Sequence, residues 1–432
     1  LSTKQKSAIK KQQELPVRLN AEIMDLYGKL GDDFILNMEG YVSDLTKVHA
    51  RDLNSVQGKN EAIKRSLDYL NEFTQEVYEQ SEGILTPFYF KVKAVSNNRL
   101  MVDSNTINYQ SDKLHRHSMI MDDWQSTIDS SVKRDVFKLA LGQAFGVDID
   151  KQTIASSISE ADALINNPIV TNAVEAIRAI QNEEEVTIQY REAIDAALDL
   201  GGEKSHTFAG LVSLLNYSET QPFTSNLFME VDGITNGTAI ALLQRVTGGV
   251  NKTIEDLRKV GIYSGSEKSY GKFKENGGLD NYESLASKLQ GVIHSFASTR
   301  PEFYTVASAV GNILGKPVLV NNPDGSVTQD DDPTLGLVRS VAKNPVMIGN
   351  YGAGEAKIIN EFVNEVVDKF YDKLTKYTNQ GNQGALELLQ GDLERATGMR
   401  VRKITTDNGL KWEMTPEVEA EFRTKTEETL GS

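Results

Sequence analysis

The chain has 432 residues, no cysteine and a formal charge of −15 at pH 7. Without thiols it can have no disulfides, thiolate metal sites or cysteine nucleophile. The acidic balance excludes holding nucleic acid by bulk attraction, so any such contact has to come from local basic stripes. With 39% hydrophobic and 25% charged residues it reads as an ordinary globular chain, long enough for roughly two to four subdomains. No run of about 18 apolar residues occurs to cross a membrane. The opening Leu1-Ser-Thr-Lys4-Gln-Lys6 has cations but no apolar signal core and does not start with Met, so an internal piece of a longer polypeptide is expected.

In chain order, residues 20–83 are predicted helical, with Ile63, Leu67, Leu70, Phe73 and Val77 recurring every three or four positions. Gly83-Ile-Leu-Thr-Pro87 ends that pattern, Phe88–Val95 alternates as a strand, and Asn97-Asn98-Arg99 turns the chain. His115 and His117 flank Arg116 at a spacing that puts both on one face of a strand, and with no third ligand nearby they read as a surface pair. Residues 132–200 return to helix: Val136, Leu139, Leu141 and Phe145 mark one stretch and Ile165–Ile180 another, closed by the solvated run Glu183-Glu184-Glu185. Gly201-Gly202 reads as a helix stop, and Phe208–Tyr217 as a short buried helix.

Asn226–Asp232 alternates as a strand, Gly233-Ile-Thr-Asn-Gly237 breaks it, and Thr238–Val246 resumes as a helix ending at Gly248-Gly249. A carboxylate followed at once by glycine has two readings: Asp232 caps a turn, or it holds a hard cation beside the next carbonyl. Pro317–Val327 reads as a hairpin around Asp324-Gly325, and Asp330-Asp331-Asp332 as a solvated loop. Arg339, Lys343, Met347 and Tyr351 recur every four residues, and each step overshoots a full helical turn by only about 40°. The resulting stripe of two cations, a thioether and an aromatic ring suits a polyanion followed by a flat ring, although a solvated helix face has the same spacing. Pro345 predicts that this helix starts at Asn344-Pro345, with Arg339 and Lys343 in the entering turn. Ile358–Tyr377 is apolar over a wide face, which predicts a buried helix. Arg400–Ile404 through Asp407-Asn-Gly409 to Trp412 reads as a surface hairpin, with a basic and aromatic content that also suits a nucleic-acid backbone.

The spacing Arg339-x3-Lys343-x3-Met347-x3-Tyr351-Gly352 resembles motif B of the single-subunit, phage-type RNA polymerases. Val231-Asp232-Gly233, with Gly237 five positions past the aspartate, resembles their motif A, and Asn98-Arg99 after a strand resembles their template-contacting motif. All three stand in the family's order. The phrases Glu230-Val-Asp232-Gly-Ile-Thr-Asn-Gly237, Ala342-Lys343-Asn-Pro345 and Tyr351-Gly-Ala-Gly354 are most similar to the giant virion-packaged RNA polymerases of the Schitoviridae podophages, collinear from near Asn20 to the C-terminus.

The resemblance implies a mainly α fold with a smaller β-sheet (α+β) in a right-hand polymerase architecture. Residues 1–84 would be a thumb-like helical region, 85–255 the first part of the palm with the template motif and motif A, and 256–432 the fingers with motif B. It implies a bacteriophage DNA-directed RNA polymerase, carried in the virion and ejected with the genome into the host bacterial cytoplasm. Two Mg2+ ions would serve it, held by Asp232 and the Gly233 carbonyl. Arg339 and Lys343 would grip the triphosphate, with Lys343 the general acid towards pyrophosphate. Met347 would pack near the nascent base pair, Tyr351 would sit by the sugar, Gly352 would join them in binding the nucleotide, and Arg99 would contact the template or hybrid backbone. Partners would be single-stranded DNA template, ribonucleoside triphosphates, the RNA product and the rest of the polymerase.

The template motif departs from the family at Val95 and Asn98, where the family has Thr or Asp, and Gly. Nothing between Tyr351 and Ser432 resembles motif C and its second catalytic aspartate, so the chain alone is expected to be inactive, a fragment or one part of a split enzyme. Two alternatives stand beside this reading. An A-family DNA polymerase has Glu at the position of Gly237 and Phe at that of Met347, and both differences favour ribonucleotides. A structural virion or ejection protein with a degenerate polymerase fold would bind no nucleotide.

Overall fold

The computed structural model describes residues 3–48, 53–80, 86–95, 100–121, 126–147, 149, 153–182, 184–230, 319–321, 327–329, 342–349, 353–400, 402–406, 409–413 and 415–430. The described residues up to 230 belong to one compact unit and those from 319 onward to a second. Helices dominate both and the sheets are two-stranded and antiparallel, so the expected α+β class holds. Among the described residues no helix is long and apolar enough to cross a membrane.

The first unit begins with α1 (Thr3–Gln13), β1 (Val17–Leu19), α2 (Ala21–Leu30), α3 (Asp32–Met38) and α4 (Leu53–Gln80). The expected helix over 20–83 is therefore broken. Asn20 starts α2 by accepting from the N–H groups of Glu22 and Ile23. Gly31, at φ +86°, ends α2 and opens α3 in a backbone region that favours glycine. The expected strand over Phe88–Val95 shortens to β2 (Val92–Ala94), paired with β3 (Leu100–Val102), while Phe88 makes only an isolated bridge to Val17. Next come α5 (Lys113–His117), β4 (Met119–Met121), which pairs with β1, and β5 (Ser126–Ile128).

Residues 132–200 form four helices: α6 (Ser131–Ala144), α7 (Ile154–Ile165), α8 (Pro168–Gln181) and α9 (Ile188–Leu198). Side chains of Ser130, Thr153, Asn167 and Thr187 cap their starts. On α6 the buried face is Phe137, Ala140, Leu141 and Ala144, which leaves Val136, expected inside, 51% exposed. α10 (Lys204–Ser213) is buried almost all round, and Phe208 stacks on Tyr27 with ring centroids 5.2 Å apart. A hydrophobic α10 that is enclosed on every side is the axis of this core. β6 (Phe223–Ser225) pairs with β5, Ser126 opposite Ser225 and Ile128 opposite Phe223.

In the second unit the two predicted hairpins are present as ladders, β7 (Leu319–Asn321) with β8 (Val327–Gln329), and β9 (Arg402–Thr406) with β10 (Gly409–Glu413). Their turns, including Asp324-Gly325, and the triplet Asp330–Asp332 lie outside the described residues. Between the hairpins lie α11 (342–349), α12 (Glu355–Asn379) and α13 (Gln383–Thr397), and α14 (Pro416–Leu430) follows the second. Phe362, Val363, Val366, Val367, Phe370 and Tyr377 of α12 pack with Leu386, Leu389 and Leu393 of α13 and with Val418 and Phe422 of α14. The wide apolar face read over Ile358–Tyr377 is thus a core face.

Candidate active site

Of the residues read as functional, Asp232, Gly233, Arg339, Tyr351, Gly352 and Arg99 lie outside the described residues, as does Gly237. Lys343 and Met347 are described, and so is the chain up to Glu230, two positions before Asp232.

The approach to Asp232 corrects one expectation. Residues 226–230 were read as a strand, yet the ladder stops at Ser225. Side chains hold the segment instead. The Leu227 N–H donates to Ser225 Oγ at 3.1 Å. The Phe228 ring lies parallel to that of His117, 5.6 Å between centroids and 6° between planes. Glu230 is gripped on both backbone groups by one side chain: its N–H donates to Gln143 Oε1 at 2.7 Å, and Gln143 Nε2 donates to its carbonyl at 2.6 Å. A primary amide has a donor and an acceptor side by side, so it exchanges both bonds with one residue as a facing strand residue would. The Glu230 carboxylate accepts from Arg116 Nη1 at 2.8 Å. Arg116 is itself fixed, with Nε donating to the Tyr109 carbonyl at 2.8 Å and Nη2 to that of Gln110 at 3.0 Å. Sequence reading missed Gln143 because a contact across 87 residues leaves no periodic trace.

The histidines also differ from expectation. They lie on α5, which Asp112 caps by accepting from the His115 N–H at 3.0 Å, and they are buried, His115 at 1% exposure and His117 at 2%. His115 sits between the Asn108 N–H at Nδ1, 3.2 Å, and the Ser66 carbonyl at Nε2, 2.8 Å, which assigns its proton to Nε2. His117 stacks on His206, 4.2 Å between centroids, and neither of its ring nitrogens has a hydrogen-bond partner. Burial first, then the neighbouring His206 and Arg116, push its pKa down to about 2, so the ring is neutral. His117 lines a cavity of about 90 Å3 with Asn20, Ser225 and Asn226, whose Oδ1 is likewise unpartnered. Among the described residues no group of His, Asp or Glu side chains could hold a metal ion.

On α11, Lys343 is exposed and Met347 half-buried four residues on, while Ala342 and Pro345 are buried. The cation and the thioether therefore share the outer face, as half of the predicted stripe requires. The backbone is already helical at Ala342, so Lys343 belongs to the helix and not to an entering turn. Pro345 is buried and falls in the first turn from Ala342, where the helix has no preceding turn for the ring to break. Two contacts orient this helix on α12: Asn344 donates to Glu365, and Gly349 lies so close to Ile358 that a Cβ there would stand 3.3 Å from its Cδ1.

Three family models match the chain in turn: a virion DNA-directed RNA polymerase domain over residues 4–119, the virion DNA-directed RNA polymerase plug insertion over 135–221, and the bacteriophage N4 RNA polymerase helical domain over 289–432. The virion DNA-directed RNA polymerase of Enterobacteria phage N4 is 26% identical over 390 residues, 86% of this chain. The chain is thus similar to virion RNA polymerases over most of its length. It spans 11% of the length of that relative. Placed on the family's divisions, Arg116 lies in the first domain and Gln143 in the plug insertion, so both clamp Glu230 from elsewhere, and α11 to α14 fall in the helical domain. β5 and β6 stand at the insertion's entry and exit and pair with each other, so the plug leaves and rejoins the chain at one place.

Proposed function

We propose that this chain is the motif A and motif B part of a bacteriophage DNA-directed RNA polymerase, packaged in the virion and active in the host bacterial cytoplasm after ejection. The observation that carries the reading is the ordered pair Asp232-Gly233 and Lys343-x3-Met347, the latter on the outer face of α11, in a chain similar to virion RNA polymerases over most of its length. In this reading residues 1–84 are thumb-like, 85–255 the first part of a palm into which the plug is inserted, and 256–432 the fingers of a right-hand architecture.

The Asp232 carboxylate and the Gly233 carbonyl are hard oxygen donors and suit Mg2+. When bound, two such ions lower the pKa of the primer 3′-hydroxyl and neutralise the triphosphate and departing pyrophosphate. Phosphoryl transfer asks the protein mainly for positioning and charge. Arg339 and Lys343 hold the triphosphate, Lys343 donates a proton to the leaving pyrophosphate, Met347 packs beside the nascent base pair, Tyr351 lies by the sugar, and Gly352 joins them in binding the nucleotide. Gly237 puts no bulk against a 2′-hydroxyl, and Arg99 holds the template strand. The second metal-binding aspartate comes from outside this chain.

The test is run-off transcription on single-stranded DNA by the complete polymerase. Asp232→Asn is expected to lower kcat by about 10³-fold or more while template binding persists. Lys343→Ala is expected to lower kcat and raise KM for the nucleotide together. Undiminished synthesis by Asp232→Asn would overturn the reading and leave a structural role in the virion.

A further inference from the structure

We propose that the outer face of the β2–β3 hairpin, with Tyr89, Lys91 and Lys93 in line and α1 beside it, is a docking surface for a single strand of nucleic acid. The inference rests on reading the chain as part of a polymerase, and it names the local basic stripe that an acidic chain needs for such a partner.

The stripe follows from strand alternation. Phe88, Phe90 and Val92 turn inward: the Phe88 ring meets Phe73 at 4.8 Å and Phe90 at 5.4 Å, Phe90 meets Tyr109 at 5.1 Å, and Val92 is buried. The positions between them face solvent, Tyr89 at 59% exposure and the Lys91 and Lys93 side chains at 77% and 55%. Alternate residues of a strand stand about 6.6 Å apart, a step close to that between neighbouring phosphates of an extended single strand. A flat ring and two cations at that repeat match a stacked base and successive phosphates.

The hairpin is held so that this face is what it offers a partner. Val92 and Val102 stand opposite each other in the ladder, yet their N–H groups donate outward, to Gln13 Oε1 of α1 at 3.3 Å and to Gln110 Oε1 at 2.6 Å. Both strand edges are thus closed at their centres to pairing with a further strand. α1 carries lysines and no carboxylate, and its Lys6, Lys10 and Lys11 are exposed. The carboxylates that pair with these lysines are Glu14, 3.6 Å from Lys10, and Asp103, 3.6 Å from Lys91 and 2.7 Å from Lys93. Two acids against five cations leave the surface positive within a chain of charge −15. An acidic peptide would use the lysines and leave the exposed ring idle, whereas a polynucleotide uses both. None of these residues belongs to the template motif read at Asn98-Arg99.

The test uses the complete polymerase with oligomers of deoxythymidine and of uridine, each carrying one 5-iodinated base, and reads photo-crosslinking and binding. Irradiation is expected to join the iodinated base to Tyr89. A crosslink from DNA alone marks the template strand, from RNA alone the product, and from both a track that does not select; each supports the proposal. Tyr89→Ala is expected to weaken binding about 5-fold or more with its salt dependence unchanged, and Tyr89→Phe to retain it. Lys91→Gln with Lys93→Gln should lower the slope of log binding constant against log salt by about 1.4, two single-strand contacts at about 0.7 each. Asp103→Asn should tighten binding, a gain that loss of structure cannot give. No crosslink at Tyr89, with affinity and salt slope unchanged in these variants, overturns the proposal. So does a loss of affinity that tracks a loss of folded protein, which would mark the face as packed against another part of the polymerase. An Asp232→Asn enzyme that retains transcription sinks the polymerase reading instead. Binding needs no catalysis, so the two failures are separable.

Discussion

His117 carries two ring nitrogens without partners inside a packed core. An unmade hydrogen bond at a buried polar atom costs about 1–3 kcal/mol, and the parallel stack between His206 and Phe228 is available to any flat aromatic ring. The folded pKa near 2 lies below the ordinary histidine value, so the unfolded chain takes up a proton at a pH where the folded chain does not. Stability from this group is complete above about pH 6.5 and is lost as pH falls below that value, at about 1.4 kcal/mol per pH unit. Burial lowers the His206 pKa in the same direction. Glu39 runs the other way. Burial, with Asp112 adding to it, raises its pKa to about 7, so its contribution is present at low pH and is lost as pH rises through 7. The difference between a variant and wild type isolates one group. His117→Phe is expected to be at least as stable as wild type at pH 8, and its advantage should grow by about 2 kcal/mol between pH 6.5 and pH 5 in denaturant unfolding. A constant advantage would mean that His117 is not held neutral. The sequence did not disclose this burial. A spacing of two fits one face of a strand, and only the Asp112 cap makes the segment a helix.

At the scale of elements, 3.6-residue periodicity located the long helices. Leu67 and Leu70 of α4 and Phe362 to Tyr377 of α12 are buried where an apolar stripe predicted. It failed where distant side chains hold the backbone, as at 226–230, where the alternation is real but both backbone groups of Glu230 bond to Gln143. Gly201-Gly202 shows a break located for a different physical reason. α9 already ends at Leu198 with Asp199 as its cap, and Gly201 is needed because a Cβ there would stand 1.9 Å from Thr207 Oγ1. That hydroxyl cannot move away cheaply, since it lies 2.8 Å from the Ala144 carbonyl and 3.0 Å from that of Glu203. A Cβ on Gly202 meets nothing within 4 Å. Gly201→Ala is therefore expected to cost about 1–3 kcal/mol, the range for overpacking a closed site, and Gly202→Ala less than about 0.5 kcal/mol. Thermal unfolding of the two neighbours side by side decides it, and equal losses would refute the account.

Over the whole molecule, the resemblance rested on three short local stretches, Asn98-Arg99, Asp232-Gly233 and Lys343-x3-Met347, which can be compared with a family without tertiary information. The plug insertion was not legible, since α7, α8 and α9 are ordinary amphipathic helices and the pairing of β5 with β6 joins residues almost a hundred positions apart. The −15 charge and the expectation that motif C lies elsewhere bear on the same question from two sides. A two-metal transfer needs carboxylates on both sides of the ion pair, since one aspartate neither neutralises nor orients two divalent cations. An acidic chain also adds little bulk attraction for template. On the proposed reading, the purified chain, given Mg2+, the four ribonucleoside triphosphates and a single-stranded promoter template, makes no run-off RNA above background. Magnesium-dependent product that Asp232→Asn abolishes would show that the chain completes its own site and would overturn the assignment of the second aspartate to another part of the polymerase.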